Sequence, residues 1–210
     1  MTRISPDLSF ELPLWQAGFS ALAGLDEAGR GAWAGPVSAA AVILPPDPGL
    51  TARLHGVRDS KQMTANQRGA WAIKIKEIAC AWAVGFASRA EIDETNILAA
   101  TRLAMRRALE QLALTPEHLL IDAVRLPVVA LPQTIIIKGD VRSLSIAAAS
   151  VLAKTARDAL LVAWDEEYPA YGFARHKGYG TALHQSALQK QGPCPLHRRS
   201  FAPIRELLKG

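Results

Sequence analysis

Two adjacent carboxylates, Asp26 and Glu27, close an apolar run that begins at Ala21, and a glycine-bracketed arginine, Gly29-Arg30-Gly31, follows at once. A short apolar run bounded by glycine reads as a buried strand, so two acids sit at the end of an element that belongs in a core. Ionised groups are expensive there unless something pairs with them. Neighbouring carboxylates also raise each other's pKa, and a cation relieves that. Gly29 and Gly31 let the chain turn sharply and approach a ligand closely. A strand end with a solvated Asp-Glu pair is the plain alternative; recurrence weighs against it.

The pattern returns twice. Leu119-Leu120-Ile121-Asp122 and Ile135-Ile136-Ile137-Lys138-Gly139-Asp140 are again short apolar runs that end on an acid. Strands alternate with amphipathic helices, which predicts an α/β architecture. If the three strands run the same way, their ends meet at the edge where open α/β sheets bind ligands. Four carboxylates gathered there repel one another, and oxygen-preferring divalent ions such as Mg²⁺ or Mn²⁺ resolve the repulsion. Two such ions about 3.5–4 Å apart form the clamp used for displacement at phosphorus. Asp26 and Glu27 leave opposite faces of a regular strand, so both reach one site only if the strand ends or bulges there. Aspartate also caps helices and closes turns. Asp140 could cap a helix beginning at Val141, and Asp122 could close a turn.

The remaining elements follow the same reading. Residues 1–19, with Pro6 and Pro13, read as an irregular surface segment. Val37 to Leu44 is a second strand, close enough to the first to form an antiparallel hairpin. Capping boxes at Thr64/Gln67 and Ser88/Glu91 open helices that run to about Cys80 and about Ala113, with strand Ala81 to Ala87 between them. The second helix turns Ile92, Leu98, Leu103 and Leu109 inward, and Asp93 reads as a capping residue near its start. Cys80 reads as a core filler. A helix from Val141 to about Glu166 is rich in alanine and serine, which lets it lie close to a sheet. The tail holds helices near 181–191 and 203–208 and leans positive.

A chain of 210 residues, half of them hydrophobic, supports one sizeable core with a small appendage. Its net charge of +5 suits a polyanionic partner. Two distant cysteines imply no disulfide framework, which fits a reducing cytoplasm. Cys194 and His197 are too few ligands for a zinc site. No signal pattern and no membrane-length apolar run is present, so a soluble cytoplasmic monomer is expected. The glycine loop is not a dinucleotide fingerprint, because Pro36 and a strand follow where a helix is required.

With these residues assembled, the chain resembles bacterial ribonuclease HII from Ala23 to Pro203. The resemblance rests on Gly24-Leu25-Asp26-Glu27-Ala28-Gly29-Arg30-Gly31 with Gly35-Pro36, on Asp59-Ser60-Lys61, and on Glu91-Ile92-Asp93 with Asn96-Ile97-Leu98. It continues through Lys138-Gly139-Asp140, Ser145 to Ser150, Ala153-Lys154 and Arg157-Asp158. Tyr171-Gly172-Phe173, His176 to Thr181 and His197-Arg198-Arg199-Ser200-Phe201 complete it. The order and spacing of the set are more specific than any member.

The resemblance implies an RNase H-like fold: a mixed five-stranded sheet flanked by helices over residues 20–166, with a helical C-terminal region over 167–210. It implies a metal-dependent endonuclease acting on the RNA strand of RNA–DNA hybrids and on ribonucleotides embedded in duplex DNA. The metal-binding carboxylates fall on Asp26, Glu27, Asp122 and Asp140, holding two Mn²⁺ or Mg²⁺ ions during catalysis. The element that senses the ribose 2′-OH falls on Gly29, Arg30 and Gly31, and the tyrosine that contacts the adjoining sugar falls on Tyr179. One position departs from the pattern: Ala123 stands where the family usually has glycine, which matters only if the backbone there needs a positive φ. Lys61 and tail residues such as Arg198 are expected to hold phosphates. Ser150 is expected to serve helix packing, and His176, His184 and His197 a structural or surface role. A binding module without chemistry, and an RNase H-like nuclease acting on DNA alone, are the rival readings. The intact acid set opposes the first and Gly29-Arg30-Gly31 the second.

Overall fold

The computed structural model describes residues 5–209. Strands β1 (Leu22–Ala28), β2 (Val37–Ile43) and β3 (Ala81–Ala87) form an antiparallel meander. Strands β4 (His118–Asp122) and β5 (Gln133–Ile136) add to its other edge, parallel to β1, giving a five-stranded sheet in the order β3-β2-β1-β4-β5. The three strands read as ending in acids therefore do run the same way. The mixed sheet is the one expected, and its central strand carries Asp26 and Glu27.

Helices cover both faces. Helix α1 (Glu11–Gln16) precedes the sheet, and the short α2 (Leu50–Arg53) and longer α3 (Ala65–Ile78) lie between β2 and β3. Then come α4 (Arg89–Glu94) and α5 (Ile97–Glu110), and after β5 the 24-residue α6 (Leu144–Glu167). The tail forms α7 (Phe173–His176), α8 (Ala182–Gln191) and α9 (Ala202–Leu207). Strand alternation sorts the core. Ala40 and Val42 face α6 and α3, whereas Ala23, Leu25, Ala39 and Ala41 face α5. Small residues set the approach. A Cβ on Gly24 would lie 2.3 Å from the Ser145 carbonyl carbon, so α6 rests directly on β1.

Several boundaries differ from the sequence reading. The segment read as irregular contains α1, and Glu11 on it is fully buried. Its carboxylate accepts from the Ser143 hydroxyl at 2.7 Å and the Ser145 N–H at 2.9 Å, which pins α1 to the start of α6. The helix expected from Ser88 to Ala113 breaks at Thr95, and Asn96 caps a new one on the Ala99 N–H. The break leaves Leu98 38% exposed instead of inward. Cys80 lies beyond the end of α3 and is exposed, not a core filler. Helix α6 starts at Leu144 behind the cap Ser143, so Asp140 caps nothing and sits instead on a single 3₁₀ turn, Gly139–Val141. No helix among the described residues is long and apolar enough to cross a membrane.

Candidate active site

Strand topology assembles the acids. Pairing of β1 with β4 stops at Leu25–Ile121, while pairing with β2 continues through Asp26–Ala40 and Glu27–Ala39. No bulge interrupts β1; the strand outruns its parallel neighbour, and the two acids stand where the strands part. Asp26 is buried beside α6, and its carboxylate accepts from the Glu27 N–H at 2.7 Å. Burial first, then the charges of Glu27 and Asp122, hold Asp26 well above the usual carboxylate range. Burial also raises Glu27, against the pull of Arg30 at 3.0 Å. Asp122 closes β4 and accepts from the Gly139 N–H at 2.7 Å, tying the strand end to the turn that carries Asp140. Asp140 is raised by burial and by Asp59 and Asp122. Lys61 stands 3.7 Å from Asp140. Burial works against its charge, but Asp140 and Asp26 outweigh it and its pKa rises.

The acids thus share one electrostatic field, yet among the described residues no three His, Cys, Asp or Glu side chains form a ready-made ligand set. Arg30, Lys61 and the Gly139 N–H occupy part of their capacity. The donors nonetheless suit a hard divalent ion: all are carboxylate oxygens, and Glu27 Oε2 is buried with no hydrogen-bond partner.

The glycine loop hangs from two buried arginines. Arg198 donates to the carbonyls of Gly29, Arg30, Gly35 and Pro36, and Arg157 to those of Ala34, Pro36 and Lys177. Every hydrogen bond from either guanidinium among the described residues ends on a main-chain carbonyl. Burial and the like charge of Arg157 push Arg198 down to about 9. Gly29 has φ +93, and a Cβ there would lie 2.0 Å from Arg157 Nε, so the loop requires glycine at this position. Gly31 has open space around it, with nothing within 4 Å of a Cβ. The loop, Glu27, Lys61 and Tyr179 line one cleft of about 660 Å³.

A model of the ribonuclease HII family matches residues 23–204. The chain belongs to the ribonuclease HII family. A ribonuclease HII of Synechococcus sp. (strain JA-3-3Ab) is 53% identical over 209 residues, covering 99% of this chain and 93% of that one. One from Chloroflexus aurantiacus is 53% identical over 207 residues, covering 97% and 96%. The crystal structure of ribonuclease H2 from Pyrococcus horikoshii superposes with a TM-score of 0.73 at 25% identity, over 90% of this chain and 97% of that one. As a ribonuclease HII, this chain is an RNase H-type hydrolase.

In this ribonuclease HII, several residues serve differently from the sequence reading. Arg198 is fully buried and is no phosphate contact; it holds the glycine loop from beneath. Asp93 lies late in α4, where its carboxylate accepts from the N–H groups of Arg199 and Ser200 and anchors the tail. Ser150 does more than pack: its hydroxyl pairs with Ser60 at 2.9 Å and steadies the Asp26 carboxylate. Arg68 and Lys154 flank Asp158 at 2.9 and 2.7 Å along the cleft wall, a network no single motif announced. The Tyr179 ring lies within cation–π distance of Lys154 and Arg157, at 5.1 and 5.5 Å. Trp33 packs over Gly180 and belongs to the tail's apolar cluster.

Proposed function

We propose that this ribonuclease cleaves the RNA strand of RNA–DNA hybrids and incises duplex DNA on the 5′ side of a single ribonucleotide, leaving a 3′-OH and a 5′-phosphate. The observation that carries the reading is the shared cleft: an acid of the cluster, the glycine loop and Tyr179 open onto one space. Asp26, Glu27, Asp122 and Asp140 are proposed to hold two Mn²⁺ or Mg²⁺ ions. Bound there, such ions supply Lewis-acid polarisation of the scissile phosphate.

The chain's own residues do the rest. The 2′-OH alone distinguishes an RNA sugar from a DNA sugar along the backbone, so discrimination demands close contact with that hydroxyl. Gly29 and Gly31 present main chain there without a side chain in the way, and Arg30, paired with Glu27 at 3.0 Å, is proposed to turn to the neighbouring phosphate. Arg198 keeps the Gly29–Arg30 main chain fixed and Arg157 the Ala34–Pro36 segment that follows, which lowers the ordering demanded at binding. Tyr179 offers a ring face to the adjoining sugar. Lys61 balances the acids and adds positive charge facing the duplex backbone.

The test is a 5′-labelled duplex with one embedded ribonucleotide, resolved on a sequencing gel beside its all-DNA control. Cutting 5′ of the ribonucleotide, and none of the control, is expected. Tyr179→Ala should lower the rate about ten-fold, near 1.4 kcal/mol of barrier, with unchanged circular dichroism. Cutting on the 3′ side, or equal cutting of the control, would overturn the reading.

A further inference from the structure

We infer that His184 and His197 form a neutral hydrogen-bonded relay that, with the His176 ring stacked on it, holds the main chain around Tyr179, and that His184 is a positioning residue for the Tyr179 ring during cleavage. The inference rests on the reading of Tyr179 as a substrate contact. The three rings are at most 7% exposed. They come from different parts of the tail: the end of α7, the first turn of α8, and the loop before α9.

The hydrogen positions follow from the partners. The Tyr179 carbonyl can only accept, so His184 Nδ1, 3.0 Å away, carries a hydrogen. In a neutral ring Nε2 is then bare, and His197 Nε2, at 2.9 Å, must supply the hydrogen between them. His197 Nδ1 is bare in turn and accepts from the Cys194 N–H at 2.9 Å. Its 3.2 Å approach to the Cys194 carbonyl is then no hydrogen bond. A cation on His184 would reverse His197 and strand the Cys194 N–H. Burial and the nearby His176 oppose such a charge and bring His184 to about 4; burial likewise brings His197 to about 4.

His176 completes the cradle. Its Nε2 donates to the Tyr171 carbonyl at 2.8 Å, so its Nδ1 accepts from the Gly178 N–H at 3.1 Å. Its ring stacks on His184 at 4.2 Å. The cradle therefore grips main-chain groups on both sides of the Tyr179 Cα. This stretch needs holding, because Lys177 and Gly178 both have positive φ, +52° and +78°. A Cβ on Gly178 would meet the Ala34 carbonyl oxygen at 2.6 Å, so the turn also abuts the glycine loop's own segment.

Two measurements test this. In ¹⁵N-histidine-labelled protein at neutral pH, imidazole NMR should show His176 and His197 protonated on Nε2 and His184 on Nδ1. A cationic ring, or His184 protonated on Nε2, would overturn the relay. In the cleavage assay, His184→Gln places its amide where Nε2 stood and loses the Tyr179 anchor, whereas His184→Asn keeps a donor at the Nδ1 position. The Gln variant should lose about ten-fold in kcat with KM little changed, and the Asn variant should restore most of it. Added to Tyr179→Ala, His184→Gln should cause no further loss, because both act through one ring. If Tyr179→Ala is fully active, the substrate reading of Tyr179 falls and takes the inference with it. If Tyr179→Ala is impaired while His184→Gln is not, or if the two losses multiply, the inference alone falls.

Discussion

Arg198, with no solvent exposure, donates from Nη2 to the Gly29 carbonyl at 2.7 Å across 169 residues of sequence. A side chain near the end of the chain thereby fixes the loop that follows the first strand. Arg198→Ala would take the guanidinium donor from the buried Gly29 and Gly35 carbonyls, with Pro36 still held by Arg157, and we expect a loss of about 3 kcal/mol in urea denaturation. Arg198→Lys should recover little, since one ammonium cannot reproduce the guanidinium fork. Wild-type stability in the Ala variant would show that water replaces the guanidinium at no cost.

The acids should separate chemistry from binding. Asp122→Asn is expected to abolish cleavage while duplex affinity stays within a few-fold, as is removal of divalent ions with a chelator. Adding Mn²⁺ should raise the thermal midpoint of the wild type, since a ligand bound only by the fold stabilises it. The shift should shrink in Asp122→Asn. Affinity that falls together with activity would assign Asp122 to the fold.

Buried histidines predict a pH-dependent stability. His184 and His197 titrate at about 4 in the fold against an ordinary value of 6.5. Between those values the unfolded chain binds more protons, so stability is full above pH 6.5 and is lost as pH falls through 4. Asp26, Glu27 and Asp140 act in the opposite sense, because their raised values let the fold bind protons the unfolded chain has released. A variant comparison isolates the histidine contribution. His184→Asn should lose less stability than wild type from pH 6.5 to 4 in urea melts at half-unit steps; equal losses would mean that His184 titrates normally.

Ala123 occupies the left-handed region at φ +51°, next to Asp122. A side chain there is strained by about 1–2 kcal/mol, offset in part by the greater unfolded-state freedom of glycine. Ala123→Gly should therefore stabilise the protein by about 0.5–1 kcal/mol in thermal or urea unfolding. An unchanged or lower midpoint would show that the turn has relaxed around the methyl group.

The acids were legible in the sequence because apolar runs do not end on carboxylates three times without cause; that the strands run the same way was there only a condition, since no helix separates β4 from β5 to force it. Arg198 was not legible. A basic residue in a basic tail reads as surface, and its partners are main-chain carbonyls that carry no sequence signature. The break at Thr95 was hidden because no glycine or proline marks it, only the capping side chain of Asn96. Ala123 was visible as a departure, but whether it mattered depended on a backbone angle. The family of a residue can be read from its neighbours in sequence; its partners across the fold cannot.

The meander and the added pair of strands differ in when they become available. Strands β1, β2 and β3 pair with near neighbours, but Leu22 on β1 meets His118 on β4 only after about a hundred residues of further chain. At about 5–20 residues per second on a ribosome, the growing chain carries β1 with one unpaired edge for several seconds or longer. That edge is apolar and uncharged until Asp26, the kind that recruits other strands. Protection from self-association therefore arrives only when β4 closes the open side of β1, and the glycine loop is fixed later still, once the tail that carries Arg198 is made.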